Sequence, residues 1–553
     1  MVPTHARAEI HSEFVFAHKP AGVPTHRPSE DRLGFVEWLS EKLEIPLFVC
    51  HRLDKETSGA MVFARSSEAA ALLSQLFAER KVQKRYLFIS DQKSCEIQWE
   101  VSEKGKGTPE SECPFEGRVD HLAEKRGVRG HTPPDHGEVG GRAVTQFEQL
   151  GSVGSFYLYS ARPLSGKTHQ IRKHAVKSMV PILGDSVYGG RPFPRLMLHS
   201  EQLTFSLEKN SFQFVEEPSL LFSKALYLED SQWAHWVSAI ERRFLLFPDS
   251  TKETSSFRLI HQESGDLRWD RAGPVDVLGW WNEKPPSPSE QEKIKELMNR
   301  FGHQQWNFHW RPGVGSHGQW PELLIQGEDS PTETWTFHEN TMKLQGRADQ
   351  GHNLGLFFDQ RDRRQWVRDA SRDKKVLNLF SFTCGFSLAA ALGGAQKVVS
   401  VDLFKRYLEW GKANFELNDL SPGEPHEFRA MDSLDYLRYA DRKKLSYDII
   451  VCDPPSFSRN KRQKKVFRID KDWPVLLDSC QQVLAPGGTL LFSTNFEKWD
   501  FERWQGLLQD WARAKGLAVR ASESQWDFAW QKKEAHLKAF FLKKACPPSG
   551  GAV

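Results

Sequence analysis

One carboxylate in the N-terminal part of the chain has neighbours that suit catalysis. Asp54 lies between Arg52 and a Thr-Ser-Gly turn at 57–59, and an apolar run at 60–64 follows. Such a run predicts a short buried strand, so we expect Asp54 on a loop that enters a sheet. Loops on a rigid scaffold carry many catalytic groups, although an Asp in a turn more often bonds only its own backbone.

Three further carboxylates follow apolar runs in the C-terminal part, at the spacing of a nucleotide-binding fold. Asp402 ends one predicted strand, Asp453 ends another, and Asp432 lies between them. The distance from a preceding strand at 376–380 to Asp402 is that of a βαβ unit that delivers a carboxylate to a ribose. Asp432 can accept from an adenine amino group. The alternative is that these residues only cap helices.

The absence of phosphate-binding motifs narrows the choice of cofactor. The sequence has no Gly-x-Gly-x-x-Gly motif and no Gly-Lys-Ser/Thr motif to hold phosphates. This weakens NAD and ATP as cofactors and leaves S-adenosylmethionine, with Asp453 beside the reacting group.

These residues must be positioned by several domains, because 553 residues are too many for one core. Alternating strand-like and helix-like segments predict an N-terminal α+β domain, a small α+β accessory domain and a C-terminal α/β Rossmann-like domain. We predict these at 1–245, 257–346 and 347–545, with a linker at 246–256 and a disordered tail at 546–553. The Gly-, Pro- and charge-rich segment 105–141 is predicted to be a surface loop.

The composition excludes several classes of protein and of binding site. Lys and Arg exceed Asp and Glu by only three, so any nucleic-acid surface must be a local basic patch. Seven scattered cysteines without a Cys-x-x-Cys pair argue against a zinc site and a disulfide framework, and no metal is predicted. The chain shows neither a signal-peptide pattern nor a spanning apolar run, so we expect a cytoplasmic monomer without membrane contact.

The N-terminal motifs resemble those of the RluA-type pseudouridine synthases. The His-Arg-Leu-Asp-x-x-Thr-Ser-Gly string at 51–59 is similar to their active-site motif, and four further segments follow the family's order, at 18–24, 84–86, 166–174 and 181–185. The resemblance implies that Asp54 is the nucleophile that starts cleavage of the uridine glycosidic bond, after which uracil rotates and re-attaches through C5. No cofactor is needed.

The same resemblance assigns supporting roles. Arg172 would pair with Asp54 and keep it ionised. Tyr86 would stack on the base. Lys167 stands where the family usually has Arg, so a bidentate guanidinium contact with a phosphate is replaced by the single charge of an ammonium group. We expect an RNA contact from Arg52, whereas His51 and His174 can equally be structural.

The C-terminal motifs resemble the ribosomal RNA methyltransferases of the RlmI and RlmKL groups. Segments 355–361, 378–383, 407–410 and 453–458 carry the resemblance, which covers roughly 257–543. It implies cofactor contacts from Phe380, Ser381, Thr383, Gly385, Asp402, Asp432, Asp453 and Arg361. Cys384 stands where the family usually has Gly, and its Cβ is expected to narrow the turn beside the cofactor.

The methylated atom can be argued from cysteine placement. Methylation of cytosine C5 needs a thiolate that first adds to C6, but segment 492–495 has no cysteine and Cys452 lies inside a predicted strand. Guanine N7 already has a lone pair and needs only positioning, so N7 is the better prediction. The basic run at 459–468 is predicted to contact phosphates, through Arg459, Lys461, Arg462 and Lys464.

The sequence therefore predicts a bifunctional RNA-modifying enzyme that joins a pseudouridine synthase to an S-adenosylmethionine-dependent methyltransferase. The expected partner is 23S ribosomal RNA or a large-subunit assembly intermediate. The alternatives are methylation at cytosine C5, a synthase half that acts on transfer RNA, and an RNA-binding assembly factor with one inactive site.

Overall fold

The computed structural model describes two units, Met1–Pro248 and Asp249–Val553. The predicted loop at 105–141, the predicted tail at 546–553 and most of the predicted linker lie outside the described residues. Those residues are 8–27, 34–103, 143–246, 255–261, 265–311, 322–327, 329–330, 333–350, 354–460, 465–522, 528 and 537–545.

The first unit is built on one ten-stranded, mostly antiparallel sheet. Its strands are β1 (Ala8–Ile10), β2 (Phe14–Lys19), β3 (Phe48–Val49), β4 (Ser58–Ala64), β5 (Gln83–Ser90), β6 (Gln98–Glu103), β7 (Ala143–Val153), β8 (Phe156–Pro163), β9 (Leu198–Leu207) and β10 (Asn210–Val215). The strand order is β1-β2-β4-β9-β5-β8-β7-β6, with β3 paired to β4 and β10 to β9. Strands β4 and β9 run parallel and bring the start of β4 beside the start of β9.

In the part of this unit that the structure describes, five helices accompany the sheet: α1 (Phe35–Leu43), α2 (Ser67–Ala78), α3 (Gln170–Lys177), α4 (Ala225–Glu229) and α5 (Ser231–Leu246), with a 3₁₀ turn at Leu220–Phe222. Ser66 caps α2 by accepting the Ala69 N–H. The apolar face of α2 packs on Phe14, Phe16 and Val62 through Leu73. Ser58 and Gly59, predicted to lie in a turn, already belong to β4, because the pairing of β4 with β2 extends to Gly59.

The second unit begins with a five-stranded sheet and a hairpin. Strands β11 (Ser256–Ile260), β12 (Leu267–Ala272), β13 (Val275–Trp281), β14 (Gln305–Arg311) and β15 (Glu322–Gln326) lie in that order, with helix α6 (Pro288–Phe301) between β13 and β14 in the chain. Ser287 and Glu290 form a capping box at the start of α6. The hairpin consists of β16 (Thr334–Glu339) and β17 (Met342–Arg347).

The rest of the second unit is a doubly wound α/β fold. Its strands are β18 (Lys375–Leu379), β19 (Lys397–Asp402), β20 (His426–Ala430), β21 (Tyr447–Cys452), β24 (Leu484–Thr494), β25 (Leu517–Ala521) and β26 (Lys538–Lys544), and β22 (Phe457–Asn460) pairs with β23 (Lys465–Arg468) in a separate ribbon. The sheet order is β20-β19-β18-β21-β24-β26-β25, and only β26 runs antiparallel to its neighbours.

Among the described residues, six helices cover both faces of this sheet: α7 (Arg361–Ala370), α8 (Gly385–Leu392), α9 (Lys405–Leu417), α10 (Ser433–Arg442), α11 (Ile469–Gln482) and α12 (Phe501–Lys515). Short 3₁₀ turns lie at Ala348–Gln350 and Phe358–Gln360. Alternate residues of β18, such as Val376 and Leu377, enter two different cores, so the strand is buried on both sides. The architecture confirms the predicted fold class of an N-terminal α+β domain, a small accessory block and a Rossmann-like domain.

The accessory block and the α/β fold share one core. Trp335 of the hairpin donates from its indole to the carbonyl of Ala272 at 3.0 Å, and Trp410 of α9 donates to the carbonyl of Gln345 at 2.9 Å. Apolar residues of β13, the hairpin and α8 belong to one buried cluster. The hairpin therefore lies against the same helices that border the end of β18.

The turn between β18 and α8 has unusual backbone geometry. Phe380, Phe382 and Cys384 all have positive φ angles, of 54°, 48° and 64°, which cost L-residues energy. The Cys384 side chain is buried and points toward Gly411 of α9, where an added Cβ would lie 2.4 Å from its Sγ. The thiol thus fills space that the glycine leaves, away from the turn's open side.

We expect Gly411→Ala to destabilise the protein by about 1–3 kcal/mol through overpacking against Cys384. Gly506→Ala in α12 is the matched control, because an added Cβ there meets nothing within 4 Å and helix propensity favours Ala by about 1 kcal/mol. Adding Cys384→Gly to Gly411→Ala should restore the lost stability. Denaturant unfolding of the variants measures these changes, and an unchanged midpoint for Gly411→Ala would contradict the packing account.

Candidate active sites

The loop that carries Asp54 is tied down on both sides of that residue. The Lys19 ammonium, fully buried, donates to the carbonyls of Pro20, Val23 and Lys55 at 3.0, 2.7 and 3.0 Å. On the other side, the Thr25 hydroxyl donates to the Leu53 carbonyl at 2.9 Å. These bonds fix the backbone of the Asp54 loop to the loop that follows β2.

Arg172 links Asp54 to a second carboxylate. Its Nε and Nη2 donate to the two oxygens of Asp185 at 2.8 and 2.7 Å, whereas its Nη1 lies 3.5 Å from Asp54 Oδ2. The Asp185 side chain is 1% exposed and Asp54 30% exposed. Burial acts to lower the pKa of Arg172, but the hydrogen bonds and charge of Asp185 and the charge of Asp54 raise it overall. Arg172 therefore remains a cation beside a carboxylate that keeps its outer surface open.

His169, which the sequence prediction did not assign, completes this group. Its Nε2 lies 3.7 Å from Asp54 Oδ1, and its Nδ1 lies 3.0 Å from the Tyr188 hydroxyl. The residue has φ 57° just before α3, a conformation that turns the chain at this point. Burial lowers the pKa of His169, although the charge of Asp54 opposes this. The imidazole is thus held next to the candidate nucleophile.

The other residues predicted for this site have different surroundings. Burial and, less strongly, the charge of Asp54 raise the pKa of Tyr86 to about 12, so the phenol stays protonated close to Asp54. Arg52 and Lys167 are exposed, as RNA contacts would require. His51 accepts the Val62 N–H at 3.1 Å and stacks on Phe77, and His174 is buried against Thr145, so both histidines have structural contacts.

A cavity of about 740 Å³ lies at the carboxyl ends of β18, β19 and β21. Of the residues predicted to bind the cofactor, Phe380, Asp402, Asp432 and Asp453 line it. The cavity also has exposed aromatic residues at its rim, among them Phe357 and Phe404, which are 56% and 48% exposed. Aromatic faces together with carboxylates suit a molecule that combines an adenine, a ribose diol and a positive charge.

Two of the lining carboxylates also bond backbone N–H groups. Asp402 accepts from Phe382 and Phe404 at 2.9 and 2.8 Å, and Asp432 caps α10 by accepting from Leu434 at 3.0 Å. Burial raises the pKa of Asp402, and the backbone bonds act against this. Each carboxylate oxygen has a second lone pair, so capping leaves both residues able to accept from a ligand.

Asp453 is held by a chain of side-chain hydrogen bonds. Gln360 donates to the Ser493 hydroxyl at 2.9 Å, and Ser493 donates to Asp453 Oδ1 at 2.7 Å. Burial raises the pKa of Asp453, while the bonds from Ser493 and Gln360 lower it. Asp359, which was not predicted, lines the same cavity, and two acids at this end of the cavity favour a cationic ligand group.

Four of the residues predicted to bind the cofactor, unlike Asp453, do not line the cavity. Of the residues that the structure describes, Arg361, Ser381, Thr383 and Gly385 are not among those lining the cavity. The Arg361 guanidinium donates to the Ser256 carbonyl at 2.8 Å, and the Thr383 hydroxyl donates to the Gly355 carbonyl. The Asp-Gln-Arg string therefore contributes Asp359 and Gln360 to the cavity, while Arg361 anchors β11.

The predicted phosphate-contacting run is only partly described. Arg459 lies in β22, paired with Val466, whereas Lys461, Arg462 and Lys464 lie outside the described residues. Within the described part of the chain, no group of three His, Cys, Asp or Glu side chains is arranged to hold a metal ion. No helix in that part is long and apolar enough to cross a membrane.

Residues 13–177 match the family model of RNA pseudouridylate synthases, and residues 308–517 match that of S-adenosylmethionine-dependent methyltransferases. The ribosomal RNA large subunit methyltransferase K/L of Hahella chejuensis is 38% identical over 201 residues, which are 36% of this chain and 27% of that protein. That of Pseudoalteromonas translucida is 43% identical over 169 residues, 31% of this chain and 22% of that protein.

The aligned part thus spans about a quarter of the length of these curated relatives. Among solved structures, SMU.776 complexed with SAH is similar with a TM-score of 0.48 and 25% identity, over 62% of this chain and 87% of that chain. Human RNA Pseudouridylate Synthase Domain Containing 1 has a TM-score of 0.30 and 25% identity, over 39% of this chain and 83% of that chain.

These matches confirm both resemblances predicted from the motifs, and with them S-adenosylmethionine as the cofactor of the C-terminal segment. Asp54, His169 and Arg172 lie within the first matched segment, and Asp402, Asp432 and Asp453 lie within the second. The chain therefore carries a segment of the RNA pseudouridylate synthase family followed by a segment of the S-adenosylmethionine-dependent methyltransferase family.

Proposed function

We propose that the chain is a bifunctional RNA-modifying enzyme that converts a uridine to pseudouridine and methylates a guanine at N7, both in large-subunit ribosomal RNA. The observation that carries the first activity is the placement of Asp54 between Arg172 and His169 inside the matched synthase segment. The second activity is carried by a cavity with Asp402, Asp432 and Asp453 inside the matched methyltransferase segment.

At the first site Asp54 would start cleavage of the bond between uracil N1 and the ribose, before uracil re-attaches through C5. A carboxylate nucleophile must be ionised, and hydrogen bonds must not occupy both of its oxygens fully. Arg172 meets this need because Asp185 occupies two of its donors, Nε and Nη2. Arg172 therefore places its positive charge 3.5 Å from Asp54 without forming a bidentate pair with that carboxylate. Asp185 is thus a positioning residue for Arg172.

At the second site Asp402 would bind the ribose hydroxyls and Asp432 the adenine amino group of S-adenosylmethionine. When bound, the cofactor supplies a methyl group whose carbon–sulfur bond breaks with its electron pair left on sulfur, as the guanine N7 lone pair forms the new bond. Asp453 and Asp359 would hold the positively charged part of the cofactor in place. The Gln360–Ser493 bonds keep the Asp453 carboxylate oriented toward this task.

The state of the cysteines supports N7 over cytosine C5. Addition to C6 needs a thiolate that faces the base. Burial raises the pKa of Cys384 to about 12 and raises that of Cys452 well above its ordinary value. Both thiols are fully buried, and neither is among the described residues that line the cavity.

The ribosomal substrate is proposed from the names of the relatives, which are large-subunit ribosomal RNA methyltransferases. A fused chain suggests that the two target nucleotides lie near each other or are made at one assembly stage. Separately expressed halves that modify ribosomal particles as well as the full chain would count against this coupling.

Asp54→Ala should abolish one pseudouridine in ribosomal RNA without affecting methylation, because the nucleophile is lost and the second unit is untouched. Pseudouridine has the same mass as uridine, so the RNA is first labelled with a carbodiimide that is retained on pseudouridine. Mass-spectrometric mapping of this RNA, from cells that lack the gene and are complemented with each variant, then measures the loss. Arg52→Ala is the matched control on the same loop, where a weaker effect is expected from one lost exposed cation. Retention of every pseudouridine in the Asp54→Ala cells would sink the assignment.

Asp453→Ala should abolish one 7-methylguanosine and leave the pseudouridine intact. The loss of Asp453 also leaves the Ser493 hydroxyl without its acceptor, so Ser493→Ala should give a smaller loss of methylation. The same mapping measures both variants. Disappearance of a 5-methylcytosine instead would favour the cytosine alternative, and no change in ribosomal RNA would point to transfer RNA or to an assembly factor.

Cofactor affinity should fall below pH 6. Burial and, to a smaller degree, the charge of Asp453 raise the pKa of Asp359 to about 6, while Arg258 acts in the opposite direction. A cationic ligand favours the ionised carboxylate, so its binding weakens as Asp359 takes up a proton, by about tenfold at pH 5 for one such group. Calorimetry with S-adenosylmethionine between pH 5 and 8 measures this, and Asp359→Asn should flatten the profile. An equally steep profile in that variant would exclude Asp359.

A further inference from the structure

One end of the methyltransferase cavity carries polar groups that the cofactor does not account for. Ser456, Asp472 and Asn495 line the cavity, together with Phe457, Val466 and Val475. The three apolar residues are 60%, 51% and 60% exposed. Large exposed apolar side chains around a cavity mouth suit a flat ligand that covers them on binding, such as an unstacked nucleobase.

The hydrogen bonds at this end leave a defined pattern of donor and acceptor. The Ser456 hydroxyl donates to Asn495 Oδ1 at 2.9 Å, so the remaining group of that amide is its NH₂, a donor. The Arg468 N–H donates to Asp472 Oδ2 at 2.7 Å, which leaves Oδ1, an acceptor. Asn495 is connected to the Asp453 end of β21, because it accepts from Ser456, three residues beyond Asp453, and follows Ser493, which bonds Asp453. Asp472 is instead bonded at the start of α11.

We infer that Asn495 and Asp472 read the edge of a guanine whose N7 is the methyl acceptor, an inference that rests on the proposed function. Next to N7, guanine presents the acceptor O6, which matches the Asn495 NH₂. Beyond O6 it presents two donors, N1–H and the 2-amino group, which match the Asp472 carboxylate. The order of the protein groups is therefore the order of the guanine edge.

The same order rejects cytosine as a C5 substrate. The group next to cytosine C5 is the 4-amino donor, which would face the Asn495 NH₂, and the ring nitrogen beyond it is an acceptor that would face Asp472. Both contacts would set like groups against each other. Sites built to pair polar groups discriminate strongly against ligands that leave those groups unpaired.

Asp472 also suits the charge that develops during the reaction. Methylation at N7 gives the base one positive charge, which strengthens N1–H and the 2-amino group as donors. An anionic acceptor on these donors binds the methylated base more tightly than the neutral one. Asp472 would then stabilise the transition state more than the bound substrate, and its loss would lower kcat more than it raises KM.

The test compares Asp472→Asn with Asp470→Asn, a matched control in the same first turn of α11. Asp470 pairs with the Arg468 side chain at 3.3 Å and is not among the described cavity residues. The substrates are large-subunit ribosomal RNA transcribed with guanosine, or with inosine at the methylated position, which removes only the 2-amino group. Calorimetry with S-adenosylhomocysteine checks that cofactor binding is intact in both variants.

We expect the wild-type chain to prefer guanosine to inosine RNA on the order of 10- to 100-fold in kcat/KM. Asp472→Asn should lose most of this preference and on the order of 10- to 100-fold of kcat on guanosine RNA, with unchanged cofactor binding. Asp470→Asn should resemble the wild type.

Two results would overturn the inference while the proposed function stands: a wild-type preference that persists in Asp472→Asn, or an equal loss in both aspartate variants. A wild-type product of 5-methylcytosine would overturn the reading of a guanine edge. Failure of the wild type to methylate any ribosomal RNA would overturn the proposed function, and this inference with it.

Discussion

The arrangement of the first site depends on how the hydrogen-bond donors of Arg172 are divided between Asp185 and Asp54. A guanidinium has five donors in a rigid plane, and a carboxylate that binds two of them fixes that plane. Asp185, almost fully buried, does this from the segment after α3, and so determines where the remaining Nη1 points. The distance of 3.5 Å to Asp54 follows from this orientation. Without Asp185, Arg172 could close on Asp54 and occupy the oxygens that the reaction needs.

In the second unit, neutral side chains orient the carboxylate of Asp453. Asp453 directly follows β21, a strand that is buried on both faces, and its own side chain is half-buried where it lines the cavity. This partial burial disfavours its charged form. Ser493 of β24 supplies a hydrogen bond across the parallel pair, and Gln360 orients that hydroxyl in turn. Strand pairing places Cys452 opposite Phe492, which brings Asp453 and Ser493 to the same edge of the sheet. The parallel register is therefore what brings a hydrogen-bond donor to the carboxylate at this position.

Much of both sites could be predicted from the sequence because it depends on local pattern. Strand-end carboxylates such as Asp402 and Asp453 follow apolar runs, and the end of a parallel strand is a ligand-binding edge in any doubly wound fold. Asp54 and Arg172, distant in sequence, required the family resemblance to be connected. The fold class followed from the alternation of strand and helix patterns, which long periodic segments show clearly.

The residues that escaped prediction depend on contacts between distant segments. Arg361 and Gln360 are adjacent, and only the packing of α7 decides that Gln360 faces the cavity while Arg361 reaches Ser256. Cys384 was expected to narrow the cofactor turn; its thiol is buried against Gly411 on another helix, a contact that depends on the packing of the two helices. His169 required the positive φ before α3 to bring its ring to Asp54. Neither spacing nor composition contains such information.

The two proposed reactions place different demands on their sites, and the two units reflect this. Conversion of uridine needs a bond to be broken and a base to be rotated, so the nucleophile must stay fixed while the base moves. The bonds from Lys19 and Thr25 to the backbone around Asp54 provide that rigidity. The proposed transfer to guanine N7 needs only alignment, for which a wide cavity lined by carboxylates and aromatic side chains suffices. A rigid loop around the candidate nucleophile and an open cavity at the strand ends are therefore the physical features that separate the two sites.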